Sequence, residues 1–376
     1  RSRGLGDVYK RQTWDVGVDY GLFNNRLTGS FDYFVRFTEG MVGPSAELPA
    51  TLGISTPSSN NSDLRTKGWE VSIGWKDRLK NGLGYGINLS LSDQITMIDS
   101  YPDNKTLSID SYLPGYKDGL IWGYETIGIA KSDEEMQAHL ASLPKGGQDA
   151  VGSQWAAGDI MYKDLNGDGK ISEGARTLGD HGDLKILGDT YSHYFFGIDL
   201  NADWKGFDFR AFFQGVLKHD YWGSGNFTGM LFGVRGGYSR WHTRGFKQHE
   251  DYFRAEPAGL EGHELPANLD SYYPRPIFSD SSDGTSFGAK NQKVQSRYVQ
   301  DASYIRLKNL QFGYTLPAKF TNKFGINRLR IFVSGENVWT GTGLTKLFDP
   351  ETISGGNGGN AYPLSRTWSF GLSLTL

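Results

Sequence analysis

The sequence contains no cysteine, no long hydrophobic run and little net charge. Without cysteine, the chain forms no disulfide, no cysteine-ligated zinc site and no thiol nucleophile. A transmembrane helix needs about 18 consecutive apolar residues, which the sequence lacks, but a transmembrane strand needs only about ten residues of alternating polarity. The net charge of -3 over 376 residues gives no basic footprint for binding nucleic acid.

Aromatic residues and glycine are abundant, although only 38% of the residues are hydrophobic. Phe, Tyr and Trp make up 14% of the chain, and 51 residues are glycine. Aromatic side chains favour strands, and glycines allow tight bends between them. The composition therefore predicts an all-β fold rather than a helical one.

About nine segments place apolar residues at every second position, which is the pattern of β-strands. They are 14–20, 26–37, 69–75, 85–91, 194–204, 207–213, 302–314, 329–333 and 367–376. The alternate positions are mostly small and neutral, as in Gly84, Gly86, Asn88, Ser90 and Ser92. A soluble sandwich usually carries many charged side chains on its wet face, so this pattern favours a membrane barrel with a polar lumen. A large soluble β-sandwich remains the alternative.

The connections between these segments alternate strictly in length. The short ones are 24–25, 76–82, 205–206 and 317–325, and the long ones are 39–66, 97–190, 218–300 and 341–365. Long loops are rare in compact soluble domains, but outer-membrane barrels combine short periplasmic turns with long extracellular loops. We therefore predict an antiparallel transmembrane β-barrel wall. One helix is expected, at 132–140, with Ser132 as N-cap and Glu135 at the third helical position.

Six further segments carry distinctive patterns. They are 158–172 (GDIMYKDLNGDGKIS), 204–215 (WKGFDFRAFFQG), 304–317 (YIRLKNLQFGYTLP), 331–339 (IFVSGENVW), 348–351 (FDPE) and 362–366 (YPLSR). In this order they resemble the signatures of SusC/RagA-type TonB-dependent outer-membrane transporters. The resemblance implies the carboxyl-terminal part of a 22-stranded barrel, in contact with the lipid bilayer of the outer membrane.

The resemblance also implies a function and partners. Such a chain would be a fragment of a nutrient importer for oligosaccharides or peptides. The importer would work with a SusD-like surface lipoprotein as a lid and with the TonB complex, through an amino-terminal part and a plug domain that are absent here. The alternative function is that of a soluble, calcium-dependent β-sandwich that binds carbohydrate.

The first twelve residues differ from the rest. Residues 1–12 (RSRGLGDVYKRQ) resemble a translated adapter sequence, and we expect a non-native leader that makes no stable contacts. A native basic loop is the alternative. Residues 13–376 are assigned to the barrel.

No catalytic motif is present. The sequence has no His-Glu-x-x-His, no Gly-x-Ser-x-Gly and no phosphate-binding loop, and its seven histidines are scattered. We therefore expect no enzyme activity, no catalytic residues and no required cofactor.

One loop has the spacing of a calcium site. Oxygen ligands would come from Asp164, Asn166, Asp168 and the backbone carbonyl of Lys170. The twelfth position, where a bidentate acid is expected, is Ala175. The sequence thus predicts weak structural calcium binding, and the alternative is an Asp/Asn/Gly turn capped by its own side chains.

Aromatic residues in the predicted loops are the other candidates for a site. They are Trp122, Tyr124, Trp155, Trp222 and Trp241. Their rings would stack on sugars or contact a lid protein. Alternatively, they form small hydrophobic cores within the loops.

Overall fold

The structure, a computed structural model, describes residues 9–44, 58–223, 231–232, 246–277, 290–353 and 361–376. Nine strands form one antiparallel sheet, in which each strand pairs with the next large strand along the chain. These strands are β1 (Lys10–Leu22), β2 (Leu27–Pro44), β3 (Ser58–Arg78), β4 (Gly84–Ser100), β9 (His193–Trp204), β10 (Phe207–Lys218), β13 (Tyr304–Thr315), β14 (Arg328–Thr342) and β15 (Thr367–Thr375). The prediction of about nine antiparallel strands is confirmed.

The remaining elements lie between the large strands. Six short strands pair as three two-stranded sheets, β5–β8, β6–β7 and β11–β12. Their bounds are β5 (Leu120–Tyr124), β6 (Thr126–Ile129), β7 (Ile160–Tyr162), β8 (Leu184–Asp189), β11 (Asp220–Tyr221) and β12 (Gln300–Asp301). Within the described ranges, the helices with assigned bounds are α1 (Asp133–Ala141) and α2 (Ala318–Thr321), with 3-10 turns at Lys247–Glu250, Lys290–Gln292 and Asn322–Phe324. Among the residues described, no helix has the length and hydropathy to cross a membrane.

The register of the sheet aligns apolar side chains in rows across neighbouring strands. One row joins Phe209, Phe312, Val333 and Phe370 through directly opposed pairs. A second row joins Val18, Phe31, Val71, Leu91 and Phe196. Since successive side chains of a strand point to opposite faces, these rows lie on one face of the sheet.

The apolar face is not covered by another layer of the described chain. Phe312 is 48% exposed and Phe370 is 85% exposed. In a β-sandwich these side chains would interdigitate with a second sheet. An uncovered apolar face is instead the outer, lipid-facing surface of a membrane barrel. The soluble sandwich is therefore not the fold of this chain.

The opposite face is polar and includes ion pairs as well as small residues. Ser30 and Ser72 share a hydrogen bond between their Oγ atoms at 2.8 Å. Arg330 on β14 donates from Nε to Asp208 on β10 at 2.8 Å. These charges face away from the apolar rows, as expected for side chains that line a barrel interior.

The tight turn predicted between the fifth and sixth large strands is confirmed. Lys205 and Gly206 both have positive φ angles, 48° and 89°, between the paired residues Trp204 and Phe207. Two consecutive left-handed residues form the type I′ turn that suits the twist of a hairpin. The short connections all lie at the same end of the sheet, because the strands alternate in direction.

Strands β2 and β3 extend further than the sequence pattern predicts. They have 18 and 21 residues, and β3 begins at Ser58 rather than near Trp69. The added part of β3 is polar, so it has no apolar alternation to recognise. About ten residues suffice to cross a bilayer, so these ends project beyond the apolar part of the sheet.

The expectation that residues 1–12 make no stable contacts is wrong for three of them. Lys10, Arg11 and Gln12 belong to β1 and pair with Glu39, Thr38 and Phe37. Residues 1–8 lie outside the described part of the chain. The non-native origin of 1–12 stays a prediction.

The hydrophobic core lies in the long connections rather than in the sheet. We use the name loop layer for the described residues of 101–192, 219–303 and 343–366. Buried apolar residues from all three connections form one cluster, which includes Met136, Tyr162, Phe253, Tyr298 and Phe348. The long loops are therefore a packed layer at one end of the sheet.

Candidate functional site

The loop layer is joined by a buried ion-pair network around Asp159. Its Oδ2 lies 2.6 Å from Lys290 Nζ, and its Oδ1 lies 2.8 Å from Arg275 Nε. Asn291 Nδ2 also donates to Asp159 Oδ1 at 2.8 Å. Burial lowers the pKa of Lys290, and the Asp159 carboxylate opposes this shift. The network connects the 101–192 connection to the 219–303 connection, so the two loops form a single structural unit.

A second network connects the third long connection to the sheet. Arg306 and Lys308 on β13 contact Asp349 and Glu351, with Lys308 Nζ 2.9 Å from Glu351 Oε2. The first pair of residues belongs to segment 304–317 and the second pair to segment 348–351. Two of the segments that carry the family resemblance are therefore in direct contact.

The predicted helix in the loop layer is confirmed as α1. Ser132 is its N-cap and accepts a hydrogen bond from the backbone amide of Glu135 at 3.2 Å. The Glu135 side chain accepts from the amide of Lys131 at 2.6 Å. Asp133 accepts from the amide of Ala157, so the start of the helix is attached to the neighbouring loop segment.

Four of the five candidate aromatic residues are packed within the loop layer. Tyr124 and Trp155 are buried, and their rings lie 5.1 Å and 6.4 Å from the ring of Tyr162. Burial raises the pKa of both Tyr124 and Tyr162, so both hydroxyls stay protonated. This placement favours the loop-core alternative for these residues.

The remaining candidates differ in position. Trp222 is half-buried against the core, with its ring 6.5 Å from that of Phe232. Trp122 is also half-buried, but it lines a cavity. Trp241 lies outside the described residues. Contact with a ligand or lid stays a prediction for Trp122, Trp222 and Trp241.

The cavity that Trp122 lines has a volume of about 380 Å³. Its other walls include Tyr101, Tyr112, Asp110 and Asp118. Sequence reasoning did not identify these four residues as site candidates. The available indication was the concentration of tyrosine and aspartate within 101–118, which follows directly after β4.

The loop proposed for calcium is a turn whose side chains bind its own backbone. Asp164 accepts from the amides of Gly167 and Gly169 at 2.6 and 2.9 Å. Asn166 accepts from the amide of Asp168, and Asp168 accepts from the amide of Lys170. Bonds of this kind are those of self-capped Asp and Asn turns.

A buried carboxylate outside the turn also holds its backbone in place. Asp183 accepts from the amides of Leu165 and Ser172, both at 2.8 Å. Burial raises the pKa of Asp183, and the bonds from these amides oppose the shift. Within the described residues, no group of three or more His, Cys, Asp or Glu is arranged to hold a metal ion.

Comparisons with known proteins agree with the barrel interpretation. The chain is 29% identical over 384 residues to TonB-dependent receptor P3 of Formosa agariphila, with 96% of this chain and 33% of that protein covered. It is 22% identical over 377 residues to TonB-dependent receptor SusC of Bacteroides thetaiotaomicron, with 97% and 32% covered. No family model matches the chain.

A solved structure shows the same fold. The chain superposes on a chain of the RagAB peptide transporter with a TM-score of 0.63, at 19% identity. The match covers 97% of this chain and 35% of that one. The chain therefore spans about a third of the length of the relatives it matches.

The fold and its relatives define the class of protein. The nine-stranded sheet has the fold of part of the wall of an outer-membrane β-barrel, as in the RagAB peptide transporter. The chain is a homologue of TonB-dependent receptors of the SusC/RagA type. These relatives are outer-membrane receptors and transporters rather than enzymes, in agreement with the expectation from the sequence.

Proposed function

We propose that this chain is part of a TonB-dependent importer of oligosaccharides or peptides. The observation that carries the proposal is the nine-stranded sheet with one uncovered apolar face and a packed loop layer at one end. Its similarity to SusC and to the RagAB peptide transporter supports nutrient import. The activity belongs to the whole receptor, because the chain spans only about a third of its relatives' length.

The proposed partners are a SusD-like surface lipoprotein and the TonB complex. The lipoprotein would close over the loop layer. The buried ion-pair networks within this layer give the layer a defined surface. The plug domain and its TonB-binding segment would supply gating and energy coupling. Nothing in the proposed transport makes or breaks a bond in the ligand, so this chain's residues act by binding and by forming the barrel wall.

The test is uptake by cells that express the whole receptor. Fluorescent oligosaccharides and peptides are supplied at the cell surface, and accumulation is compared between cells with and without TonB. We expect uptake of at least one ligand class that depends on TonB. Equal uptake in both strains would contradict the proposal. A version of the receptor from which the plug and the TonB-binding segment have been removed is expected to transport nothing.

We also propose that the turn at Asp164 binds calcium weakly. Hard oxygen ligands at Asp164, Asn166 and Asp168 suit calcium, and each oxygen can accept more than one contact. The bidentate acid expected at the twelfth position is replaced by Ala175, which removes up to two ligand oxygens. A dissociation constant of about 0.1 to 1 mM is therefore expected, as in weak extracellular sites.

A further inference from the structure

The connection between β13 and β14 carries two highly exposed aromatic side chains. Phe320 is 55% exposed and Phe324 is 80% exposed. Phe320 lies in α2, and Phe324 lies in the 3-10 turn that follows α2 directly. Residues four positions apart lie on one side of a helical turn, so we expect the two rings to be neighbours. Adjoining apolar side chains that stay exposed mark a surface that contacts a partner or a membrane.

The backbone of this connection is held by hydrogen bonds at both of its ends. The amide of Leu316 donates to the carbonyl of Leu329 at 2.9 Å, where the chain leaves β13. The amide of Asn327 donates to the carbonyl of Thr375 on β15, also at 2.9 Å. Thr321, between the two rings in sequence, is buried. The rings are therefore presented by a turn that is attached to the sheet.

The apolar face of the sheet runs directly into this connection. On β13 the last ring of that face is Tyr314, whose centroid lies 4.5 Å from that of Phe207. On β14 the first apolar residue of the same face is Leu329, which lies opposite Leu374 on β15. The exposed rings thus begin where the apolar face ends. In a membrane barrel this is the boundary between acyl chains and head groups, where aromatic side chains are enriched.

The same stretch of the chain is strongly basic. Residues 309–335 contain no aspartate or glutamate but include Lys319, Lys323, Arg328 and Arg330. Arg330 takes part in the ion pair with β10 described above. In the described part of the chain, by contrast, no ion pair involves Lys319 or Lys323. The connection therefore carries uncompensated positive charge beside its exposed rings.

Exposed rings beside unpaired cations fit the surface of a membrane that contains anionic phospholipid. Rings of this kind enter the head-group region, while lysine stems lie along apolar surface and their ammonium groups reach lipid phosphates. Lys319 Nζ lies 5.6 Å from the centroid of the Phe320 ring, so a cation and a ring are already adjacent. A water-filled lumen would leave both rings hydrated and both ammonium groups without a counter-ion.

We propose that the connection 316–327 is a membrane-surface anchor that binds anionic glycerophospholipid. Phe320 and Phe324 insert among the head groups, and Lys319 and Lys323 bind the lipid phosphates. The inference requires that the barrel lies in a bilayer, but it does not depend on which ligand the receptor imports. It gives this part of the wall a preference for head-group charge, which the apolar rows of the sheet do not have.

The experiment places a fluorescent nitrobenzoxadiazole label on the connection of the whole receptor in phosphatidylcholine nanodiscs. The label is attached at Phe320→Cys or Phe324→Cys, in a receptor without other cysteines. Lys76→Cys is the reference site, because Lys76 is exposed at the same end of the sheet but lies on its polar face. Quenching is measured with acrylamide in the water, and with lipid that carries a nitroxide and has either a phosphatidylglycerol or a phosphatidylcholine head group. Heat-modifiable migration on gels checks the fold of each variant.

We expect the nitroxide lipids to quench the label strongly at 320 and 324, and acrylamide to quench it weakly there. The reference label at 76 should show the opposite pattern. Acrylamide quenching at 320 and 324 as strong as at 76 would overturn the membrane contact. Labels protected from both kinds of quencher would also overturn it, because the turn would then lie against the plug domain or another protein.

The head-group preference is measured with the label at 324. Phosphatidylglycerol should quench more than phosphatidylcholine, and Lys319→Gln and Lys323→Gln should each lower this preference by up to about fivefold. Lys76→Gln removes the same charge from the polar face and should leave the preference unchanged. Equal quenching by the two lipids, or an unchanged preference in both variants of the connection, would overturn the binding of anionic lipid. TonB-dependent uptake tests the import function separately and is independent of these results.

Discussion

Arg306 on β13 and Asp349 in the loop after β14 form a buried ion pair. Their Nη2 and Oδ1 atoms are 2.8 Å apart, and the side chains are only 4% and 8% exposed. Arg306 also donates from Nε to the hydroxyl of Thr340 on the neighbouring strand at 2.8 Å. The pair fixes the loop that follows β14 to the sheet, at the end of the sheet where β13 begins and β14 ends.

Removing this arginine should release the loop. In Arg306→Met, Asp349 would stay buried without its cation, which typically costs about 3 to 5 kcal/mol. We expect faster amide hydrogen exchange in 343–353 and a lower unfolding free energy in urea. Lys308→Met is the control, because Lys308 is more exposed and its ion pair among the described residues is with Glu351, so its loss should be smaller. Equal exchange in the two variants would contradict a special role for Arg306.

The stability of α1 should depend on pH through His139. Burial lowers the pKa of His139 below its ordinary value of 6.5. Below that pH the unfolded segment binds a proton that the folded one does not, so acidification favours opening. The free energy of opening, measured by amide exchange across α1 and corrected for intrinsic rates, should therefore fall as pH drops below about 6.5.

His139→Gln is the matched variant for this prediction. Glutamine does not titrate, so the pH dependence of opening at α1 should largely disappear. His219 has a lowered pKa for the same reason but lies in another part of the loop layer, so exchange there should stay pH-dependent. An unchanged pH dependence at α1 in His139→Gln would exclude this histidine as its source.

The two faces of β13 should differ in their tolerance of charge. Phe312 lies in an apolar row, whereas its neighbour Gln311 points to the polar face. Arginine on a lipid-facing position near the middle of the bilayer costs about 2 to 4 kcal/mol. Phe312→Arg should lower the folding free energy in liposomes by about this amount, and Gln311→Arg should have little effect. Similar losses for both variants would argue against a lipid-facing row.

The Asp164 turn should respond to mutation both with and without calcium. Asp164→Ala removes the acceptor for two backbone amides, so the local opening free energy should fall by about 1 to 3 kcal/mol. Calcium titration should give a dissociation constant of about 0.1 to 1 mM in the parent receptor and no binding in the variant. Asp149→Ala, an exposed acid outside the turn, is the control. Identical calcium titrations for the unmodified receptor and Asp164→Ala would contradict calcium binding at this turn, and the turn would then be only self-capped.

The large strands were predictable because their environment is periodic. Each of these strands has one apolar face and one polar face, so residues such as Phe207 and Phe209 alternate with Asp208 and Arg210. The turn at Lys205-Gly206 and the N-cap at Ser132 were also predictable, since their geometry depends on neighbouring residues alone. The first part of β3 was missed because it is polar on both faces, and the end of β2 was missed because Thr38, Glu39 and Gly40 interrupt the alternation.

The loop layer was much less predictable. Strands β5 and β8 pair Leu120 with Asp189, and strands this short show no clear alternation. The surroundings of Tyr124 depend on Tyr162, and those of Trp155 depend on Lys290, which belongs to a different long connection. The cavity was missed for the same reason, because Tyr112 and Trp122 meet only after the loops have packed.

The central claim is that the nine-stranded sheet forms a lipid-facing barrel wall, and spin-label accessibility along β13 tests it most directly. This chain has no cysteine, so single substitutions such as Gln311→Cys and Phe312→Cys can be labelled without background from this part of the receptor. In liposomes, collision with oxygen should be high at 310, 312 and 314 and low at 309, 311 and 313. Collision with a polar nickel reagent should show the opposite pattern. Equal accessibility at odd and even positions, or protection of both sets from oxygen, would contradict the account.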